Sequence, residues 1–170
     1  MIKVSRRAFM RQAAVACAGA ALMPSVARAA GAGIKVGTCT LGLEGAKQAG
    51  LEGVQVWAGG EADVLDIHKP ETRAKYKAQM AATGLPICSF MMGLLNQFPL
   101  ATDPRGPAWL TQCIEAAPDL GVDNILVAFF GKGDLQSGKQ VKEEAFAEVV
   151  KRLKDAAPRA KDAVVTLAVE

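Results

Sequence analysis

An acidic residue stands at the end of a strand-like apolar run. The run is VVTLAV, residues 164–169, and the acid is Glu170. An ionised carboxylate at the end of a fully apolar strand is costly unless it is paired or binds a metal ion. Glu170 is therefore a candidate for proton transfer or metal binding. The alternative is an ordinary exposed acid just past the strand.

Other side chains of chemical interest also follow strand-like runs. Trp57 ends GVQVW and could stack on a sugar face or serve in packing. His68, the only histidine, lies in DVLDIHKP and is either a substrate ligand or a surface residue. Asn96, in GLLNQFP, could exchange hydrogen bonds with substrate hydroxyls. Lys132, after the next run, could meet an anionic group or be only solvated.

Two nucleotide-binding motifs are absent or incomplete. After the first strand-like run, Gly37, Gly42 and Gly45 are spaced by five and three residues, whereas the dinucleotide fingerprint needs two and three. GDLQSGKQ, residues 133–140, matches a phosphate loop except that Gln140 stands where a magnesium-binding Ser or Thr is required. We therefore interpret residues 133–140 as a glycine-rich loop in solvent.

The elements that must position these side chains alternate along the chain. Strands are expected at 34–38, 53–57, 85–93, 124–130 and 164–170, and helices at 43–50, 70–84, 107–121 and 141–158. Gly50, Gly84 and Gly121 each close a helix before the next strand, at intervals of 34 and 37 residues. Pro118 is expected to disturb the last turn of the third helix. The predicted order is βαβαβαβαβ.

The third to fifth strands are apolar on consecutive residues, which predicts burial on both faces of a parallel sheet covered by helices. Two α/β architectures use such units: the open doubly wound sheet and the closed (β/α)8 TIM barrel. A barrel needs about 250 residues. The barrel interpretation therefore implies that residues 30–170 are about the first five strands, and that the chain is a fragment.

Residues 1–29 have the pattern of an export leader. SRRAFMR resembles a twin-arginine (Tat) signal, an uncharged run follows it, and Ala27 and Ala29 are the small residues that a signal peptidase recognises. The run is shorter than the roughly 20 residues that span a bilayer, so we expect no stable membrane anchor. A lipoprotein site at Cys17 is the alternative. We predict export by the Tat machinery to the periplasm.

The net charge changes when the leader is set aside. The chain has 20 basic and 17 acidic residues, a formal charge of +3. Five of the bases and none of the acids lie in residues 1–29, so the rest carries 15 bases and a charge of −2. Nothing basic remains to indicate a nucleic-acid partner.

Three cysteines follow the leader: Cys39, Cys88 and Cys113. An odd number cannot all pair within one chain, and no spacing here is typical of a zinc site. We interpret all three as small side chains of the core.

Residues 34–170 resemble the sugar phosphate isomerase/epimerase family, the xylose isomerase-like barrels. The likeness rests on GLEGVQVW, LPICSF, LGVDNILVAFFGKGD and VVTLAVE, in this order and spacing. The family's strand-5 acid, in L-A-x-E, binds a divalent metal and is one of two glutamates that move protons; it maps onto Glu170. The other three family ligands, on strands 6 to 8, have no counterpart here. Gln55 departs from the acid that many members carry on strand 2.

The resemblance implies proton transfer beside the carbonyl of a sugar-like substrate, with manganese, magnesium or cobalt stabilising the enediolate. We expect the chain as given to bind metal weakly and to be inactive. Two other readings stay open: a non-catalytic carbohydrate-binding barrel, and a lyase or phosphodiester hydrolase on the same scaffold. The sequence leaves a homo-oligomer open as well.

Overall fold

The computed structural model describes residues 34–170, so the predicted leader, with Cys17, lies outside the described residues. Lys35–Glu170 form one compact unit. Its main elements are β1 (Gly37–Thr38), α1 (Leu43–Gln48), β2 (Gly53–Trp57), α2 (Pro70–Thr83), β3 (Ile87–Met91), α3 (Gly106–Ala116), β4 (Asn124–Val127), β5 (Gln136–Ser137), β6 (Gln140–Val141), α4 (Glu143–Asp162) and β7 (Thr166–Val169). Short 3-10 turns lie at Asp66–His68, Gly93–Asn96, Pro118–Leu120 and Gly131–Gly133.

Five strands form one parallel sheet in the order β1-β2-β3-β4-β7, which follows the chain without reversal. Crossovers between parallel strands are almost always right-handed, so an order that never reverses places all four helices on the same face. A doubly wound sheet reverses its order and has helices on both faces. The topology therefore decides for the barrel and confirms the predicted α/β class.

The two faces of the sheet differ in composition. Strand side chains on the helix-covered face are almost fully buried in one core with the helices; they are Val54, Val56, Ile87, Phe90, Ile125 and Val127. On the opposite face, here called the inner face, Gln55, Met91 and Leu126 stay partly exposed. Within residues 34–170 the inner face is therefore less buried than the helix-covered face, because the helices cover one face only.

A bulge in β3 explains part of the consecutive apolar pattern. Val54 pairs with Ile87 and Gln55 with Ser89, so Cys88 is an extra residue in the ladder. Its thiol lies 3.1 Å from the carbonyl oxygen of Val54. Because of this extra residue, Ile87 and Phe90 both point to the helices although they are three positions apart.

The helix ends follow the glycine and proline pattern with one exception. Gly50, Gly84 and Gly121 have φ of 72°, 74° and 67°, the left-handed conformation expected of them. The third helix ends at Ala116, and Pro118 begins a 3-10 turn, as predicted. The fourth helix does not end at Pro158 but continues to Asp162. An interior proline costs about 3 kcal/mol, and Ala160, in the turn beyond Pro158, is buried in the core.

The cysteine interpretation is only partly right. Cys113 is fully buried, and burial raises the pKa of its thiol to about 12. Cys39 and Cys88 are exposed, because Cys39 follows a two-residue edge strand and Cys88 is the bulge residue. All three are free thiols.

Residues 133–140 do not form a phosphate loop between a strand and a helix. They include a small hairpin in which β5 and β6 pair antiparallel around Gly138, whose φ is 62°. None of the helices between residues 34 and 170 is both long and apolar enough to cross a membrane.

Candidate functional site at the carboxyl edge of the sheet

Three of the four predicted site residues lie at one edge of the sheet. All five strands are parallel, so their carboxyl ends meet at the same edge. Trp57 is the last residue of β2, Asn96 follows β3, and Glu170 follows β7. In barrels of this kind the loops at the carboxyl ends of the strands form the active site.

Trp57 rests on a glycine. Its side chain is 55% exposed, and a Cβ atom built on Gly93 would lie only 2.3 Å from its Cζ3 atom. Gly93 begins the 3-10 turn after β3. The indole of Trp57 therefore packs against the backbone of the loop after β3, while the rest of the ring faces solvent.

Asn96 connects the loops after β3 and β4. Its side-chain oxygen Oδ1 accepts a hydrogen bond of 3.0 Å from the backbone N–H of Phe130. The turn after Phe130 packs closely on the same loop, because a Cβ atom on Gly133 would meet the carbonyl oxygen of Leu95 at 2.4 Å. Asn96 thus has a structural role in fixing two loops, beside the substrate contact predicted for it.

The same β3–α3 loop is held from the helix layer by two arginines. Arg152 of α4 donates from Nη1 to the carbonyl oxygens of Leu100 and Asp103, at 2.8 and 2.7 Å. Arg105 donates from its Nε and Nη2 atoms to the two carboxylate oxygens of Asp103 and stacks 4.4 Å over the Trp109 ring. These hydrogen bonds lower the pKa of Asp103 below its ordinary value.

Glu170 continues the β4–β7 ladder by one residue. Its N–H donates to the carbonyl oxygen of Val127 at 3.2 Å, and its carbonyl oxygen accepts from the N–H of Phe129 at 3.1 Å. By the alternation along β7, Glu170 shares the inner face with Ala168. Glu170 is exposed and also lines a cavity of about 300 Å³ with Phe129, so it lies where that cavity meets the inner face.

The side chain of His68 faces the helix layer. The loop after β2 runs along α3 and is bound through its backbone by Trp109 and Gln112 of that helix and by Arg105, the residue just before it. At the end of this loop, His68 Nε2 lies 3.3 Å from Glu115 Oε2, and Arg159 of α4 donates to the other oxygen of Glu115 at 2.7 Å.

The backbone beside His68 lies near the carboxyl end of β2. The N–H of Ile67 donates to the carbonyl oxygen of Ala58 at 3.0 Å, and Ala58 directly follows Trp57. The imidazole of His68, however, is paired with Glu115 of α3 in the helix layer.

A polar pair on the inner face was missed by sequence reasoning. Gln55 of β2 and Ser89 of β3 are register partners, and Gln55 Nε2 donates to Ser89 Oγ at 2.6 Å. The signal available in the sequence was a single amide between two valines in a strand. This signal indicates a polar pair only once the bulge at Cys88 is known, because the bulge places Ser89 opposite Gln55.

The residues between 34 and 170 do not by themselves make a metal site. Glu170 supplies a carboxylate, the kind of oxygen ligand that magnesium and manganese prefer. No group of three or more His, Cys, Asp or Glu side chains in this part of the chain is placed to hold a metal ion. The described residues therefore supply at most one ligand, Glu170, of the expected metal-binding set.

These features define a parallel α/β barrel sheet with a candidate site at its carboxyl edge. The family model of the xylose isomerase-like TIM barrel matches residues 43–170. The chain belongs to this family. No curated protein matches it.

Solved structures agree with this fold. A 3-keto-D-glucoside 4-epimerase from E. coli is 16% identical with a TM-score of 0.58, over 81% of this chain and 56% of that one. A xylose isomerase domain protein from Planctomyces limnophilus is 16% identical with a TM-score of 0.60, over 79% and 53%. A xylose isomerase-like TIM barrel protein from Mycobacterium smegmatis, in complex with magnesium, is 16% identical with a TM-score of 0.55, over 75% and 44%. The chain spans about half the length of these structures.

Proposed function

We propose that this chain is part of an exported isomerase or epimerase that acts on a sugar-like substrate. The observation that carries the proposal is Glu170, an exposed carboxylate on the inner-face side of β7 at the carboxyl edge of a xylose isomerase-like sheet. Support comes from a structural neighbour that is a 3-keto-D-glucoside 4-epimerase. Support for export is the twin-arginine pattern at Ser5 to Arg11, which directs folded proteins to the periplasm.

The reaction in this proposal is a proton transfer beside a carbonyl group. The carboxylate of Glu170 removes a proton from the hydroxyl-bearing carbon next to the substrate carbonyl. The electron pair of that C–H bond becomes a C=C bond, and the π pair of the carbonyl group moves onto its oxygen, which gives the enediolate. A second acid, outside residues 34–170, returns a proton to the neighbouring carbon or to the opposite face. The first outcome is an isomerisation and the second an epimerisation.

The proposal includes a divalent ion, manganese, magnesium or cobalt, and further barrel strands. A neighbour in complex with magnesium supports the ion, and its other ligands must come from outside the described residues. Coverage of about half of each neighbour supports a longer barrel. We accordingly expect the 170-residue polypeptide alone to turn over no sugar.

Solvent exchange at carbon tests the proposal directly. The full-length protein with added Mn²⁺, Mg²⁺ or Co²⁺ should incorporate deuterium from D₂O next to the carbonyl of at least one sugar in a panel of ketoses, aldoses and their phosphates, followed by NMR. Glu170→Gln should lower this rate about 10²- to 10⁴-fold, because the base is lost. The matched control is Glu144→Gln, at an exposed glutamate in the first turn of α4, which should exchange at the wild-type rate. Wild-type exchange by the Glu170→Gln variant would refute the role given to this residue.

A non-catalytic carbohydrate-binding barrel is the second candidate. The half-exposed indole of Trp57 at the carboxyl edge favours it, because an aromatic ring binds sugars without any catalytic group. Sugar binding by the full-length protein with no deuterium exchange under any metal would decide for this candidate.

A further inference from the structure

A cleft of about 290 Å³ opens beside Trp57, between the loop after β1 and the helix α2. We call it the β2 cleft. Five of its lining residues carry polar groups or aromatic rings: Thr40, Gln55, Trp57, Tyr76 and Gln79. Its volume is near the lower end of small-molecule sites, about 300 Å³, which suits one pyranose or furanose ring.

Several polar groups of this cleft have no partner within residues 34–170. Gln55 uses Nε2 on Ser89, which leaves its Oε1 as an acceptor. Tyr76 and Gln79 are spaced by three on α2 and therefore share one face of that helix. Neither the phenolic hydroxyl of Tyr76 nor the side-chain amide of Gln79 has a hydrogen-bond partner in the described part of the chain. The cleft thus offers free donors and acceptors beside an aromatic face.

The cleft carries no charge of its own. No Asp, Glu, Lys, Arg or His among the described residues lines it. Burial, and secondarily the negative charge of Asp66, raise the pKa of Tyr76, so its phenol stays neutral. A phosphate would enter without a cation to pair with, and its desolvation would oppose binding.

The cleft is also distant from Glu170. Trp57 lies on β2 and Glu170 follows β7, three strand spacings away in the sheet. At about 4.8 Å per spacing, this is roughly 14 Å along the sheet. From Trp57 the cleft extends to Tyr76 and Gln79 in the helix layer, whereas Glu170 is on the inner-face side of β7.

We propose that the β2 cleft binds an uncharged glycosyl unit of the substrate, remote from the reacting carbon. The substrate is then a neutral glycoside or disaccharide, and not a monosaccharide phosphate. This deepens the proposed function and rests on it for the identity of the reacting end. Trp57 stacks on the C–H face of the ring, and Gln55, Tyr76 and Gln79 exchange hydrogen bonds with its hydroxyls.

Tryptophan fluorescence isolates this site, because Trp57 is half exposed and Trp109 is fully buried. The full-length protein is titrated with maltose, cellobiose, lactose and methyl β-D-glucopyranoside, and separately with D-glucose 6-phosphate and D-fructose 6-phosphate. At least one neutral glycoside should change the emission and bind at least about tenfold more tightly than either phosphate. The change should be lost in Trp57→Phe.

Variants of the helix face give the second readout. Tyr76→Phe keeps the ring and removes the hydroxyl, and Gln79→Leu removes the amide; each should weaken glycoside binding about fivefold to tenfold. Lys75→Ala, at an exposed position beside Tyr76 that does not line the cleft, should bind as the wild type does. The assignment is overturned if either phosphate binds as tightly as the neutral glycosides or more tightly. It is also overturned if no sugar changes the Trp57 emission, or if both helix variants bind glycosides as the wild type does.

The two proposals fail in different ways. If Glu170-dependent exchange occurs on sugar phosphates while Trp57 stays silent, the cleft assignment is wrong and the proposed function stands. If Trp57 responds to neutral glycosides and no sugar exchanges deuterium, the cleft assignment stands and the isomerase proposal falls.

Discussion

The indole of Trp57 and the backbone of Gly93 are in such close contact that no side chain larger than hydrogen fits at position 93. A Cβ atom there would stand 2.3 Å from Cζ3 and 2.9 Å from Cε3 of the indole. Gly93 is therefore needed for space. This contact fixes the position of the exposed Trp57 ring at the carboxyl edge of the sheet.

Replacing Gly93 by alanine should displace this ring. We expect Gly93→Ala to move the Trp57 emission to longer wavelength, to increase its quenching by acrylamide, and to cost about 1–3 kcal/mol of unfolding free energy. Gly60→Ala is the matched control, because nothing lies within 4 Å of a Cβ atom at that glycine and it does not line the β2 cleft. Unchanged emission and quenching in Gly93→Ala would show that the ring is not held by this contact.

The Asn96 side chain should protect one backbone amide. Asn96→Ala removes the acceptor of the Phe130 N–H, so we expect faster hydrogen exchange at this amide and a loss of about 0.5–1.5 kcal/mol in unfolding free energy. Asn96→Asp keeps an oxygen in the same place and should retain most of the protection. Equal exchange at Phe130 in wild type and Asn96→Ala would contradict the hydrogen bond.

Acid should weaken the anchoring of the β3–α3 loop. Hydrogen bonds from Arg105 lower the pKa of Asp103 below its ordinary value of 3.8, so as the pH falls the unfolded chain takes up this proton before the folded one does. The stability gained from the ion pair is complete above pH 3.8 and is lost as the pH falls through the lower, folded value.

Asp103→Asn has no such titration. The difference in unfolding free energy between wild type and Asp103→Asn should be largest near neutral pH and should shrink below about pH 4, as followed by urea unfolding at several pH values. A difference that stays constant from about pH 7 to about pH 2.5 would rule out a shifted Asp103.

The three free thiols between residues 34 and 170 should react in two classes. Cys39 and Cys88 are exposed, whereas burial raises the pKa of Cys113 to about 12 and removes it from solvent. Alkylation requires the thiolate. We expect iodoacetamide at about pH 8 to modify Cys39 and Cys88 in the folded protein and Cys113 only in urea, as mapped by peptide mass spectrometry. Modification of Cys113 at the rate of Cys88 would contradict its burial.

Local patterns in the sequence were enough for the order of elements. Gly84 closes α2 as predicted, and Gly121 closes the 3-10 turn after α3, because a left-handed residue is needed at both places and few others adopt it. The placement of Glu170 at the carboxyl edge followed from the same alternation of strands and helices. These features depend on neighbours in the chain.

Features that depend on distant contacts could not be read from the sequence. The imidazole of His68 is paired with Glu115 of α3, 47 positions later, and nothing local in the sequence indicates this partner. Gly93 gave no signal because its φ is not in the left-handed region, and only the approach of Trp57 reveals why it is glycine. The exposure of Cys88 followed from a bulge that the apolar run LPICSF does not show.

The extra residue at Cys88 fixes the register of β3 against β2. With it, Ile87 and Phe90 both reach the core while Ser89 meets Gln55; a slip of β3 by one position along β2 would leave a serine facing the helices or a phenylalanine facing Gln55. A regular ladder that included Cys88 without a bulge would force such a misalignment. The irregularity thus gives the strand a single low-energy way to join its neighbour, which a perfectly repeating run of apolar residues would lack.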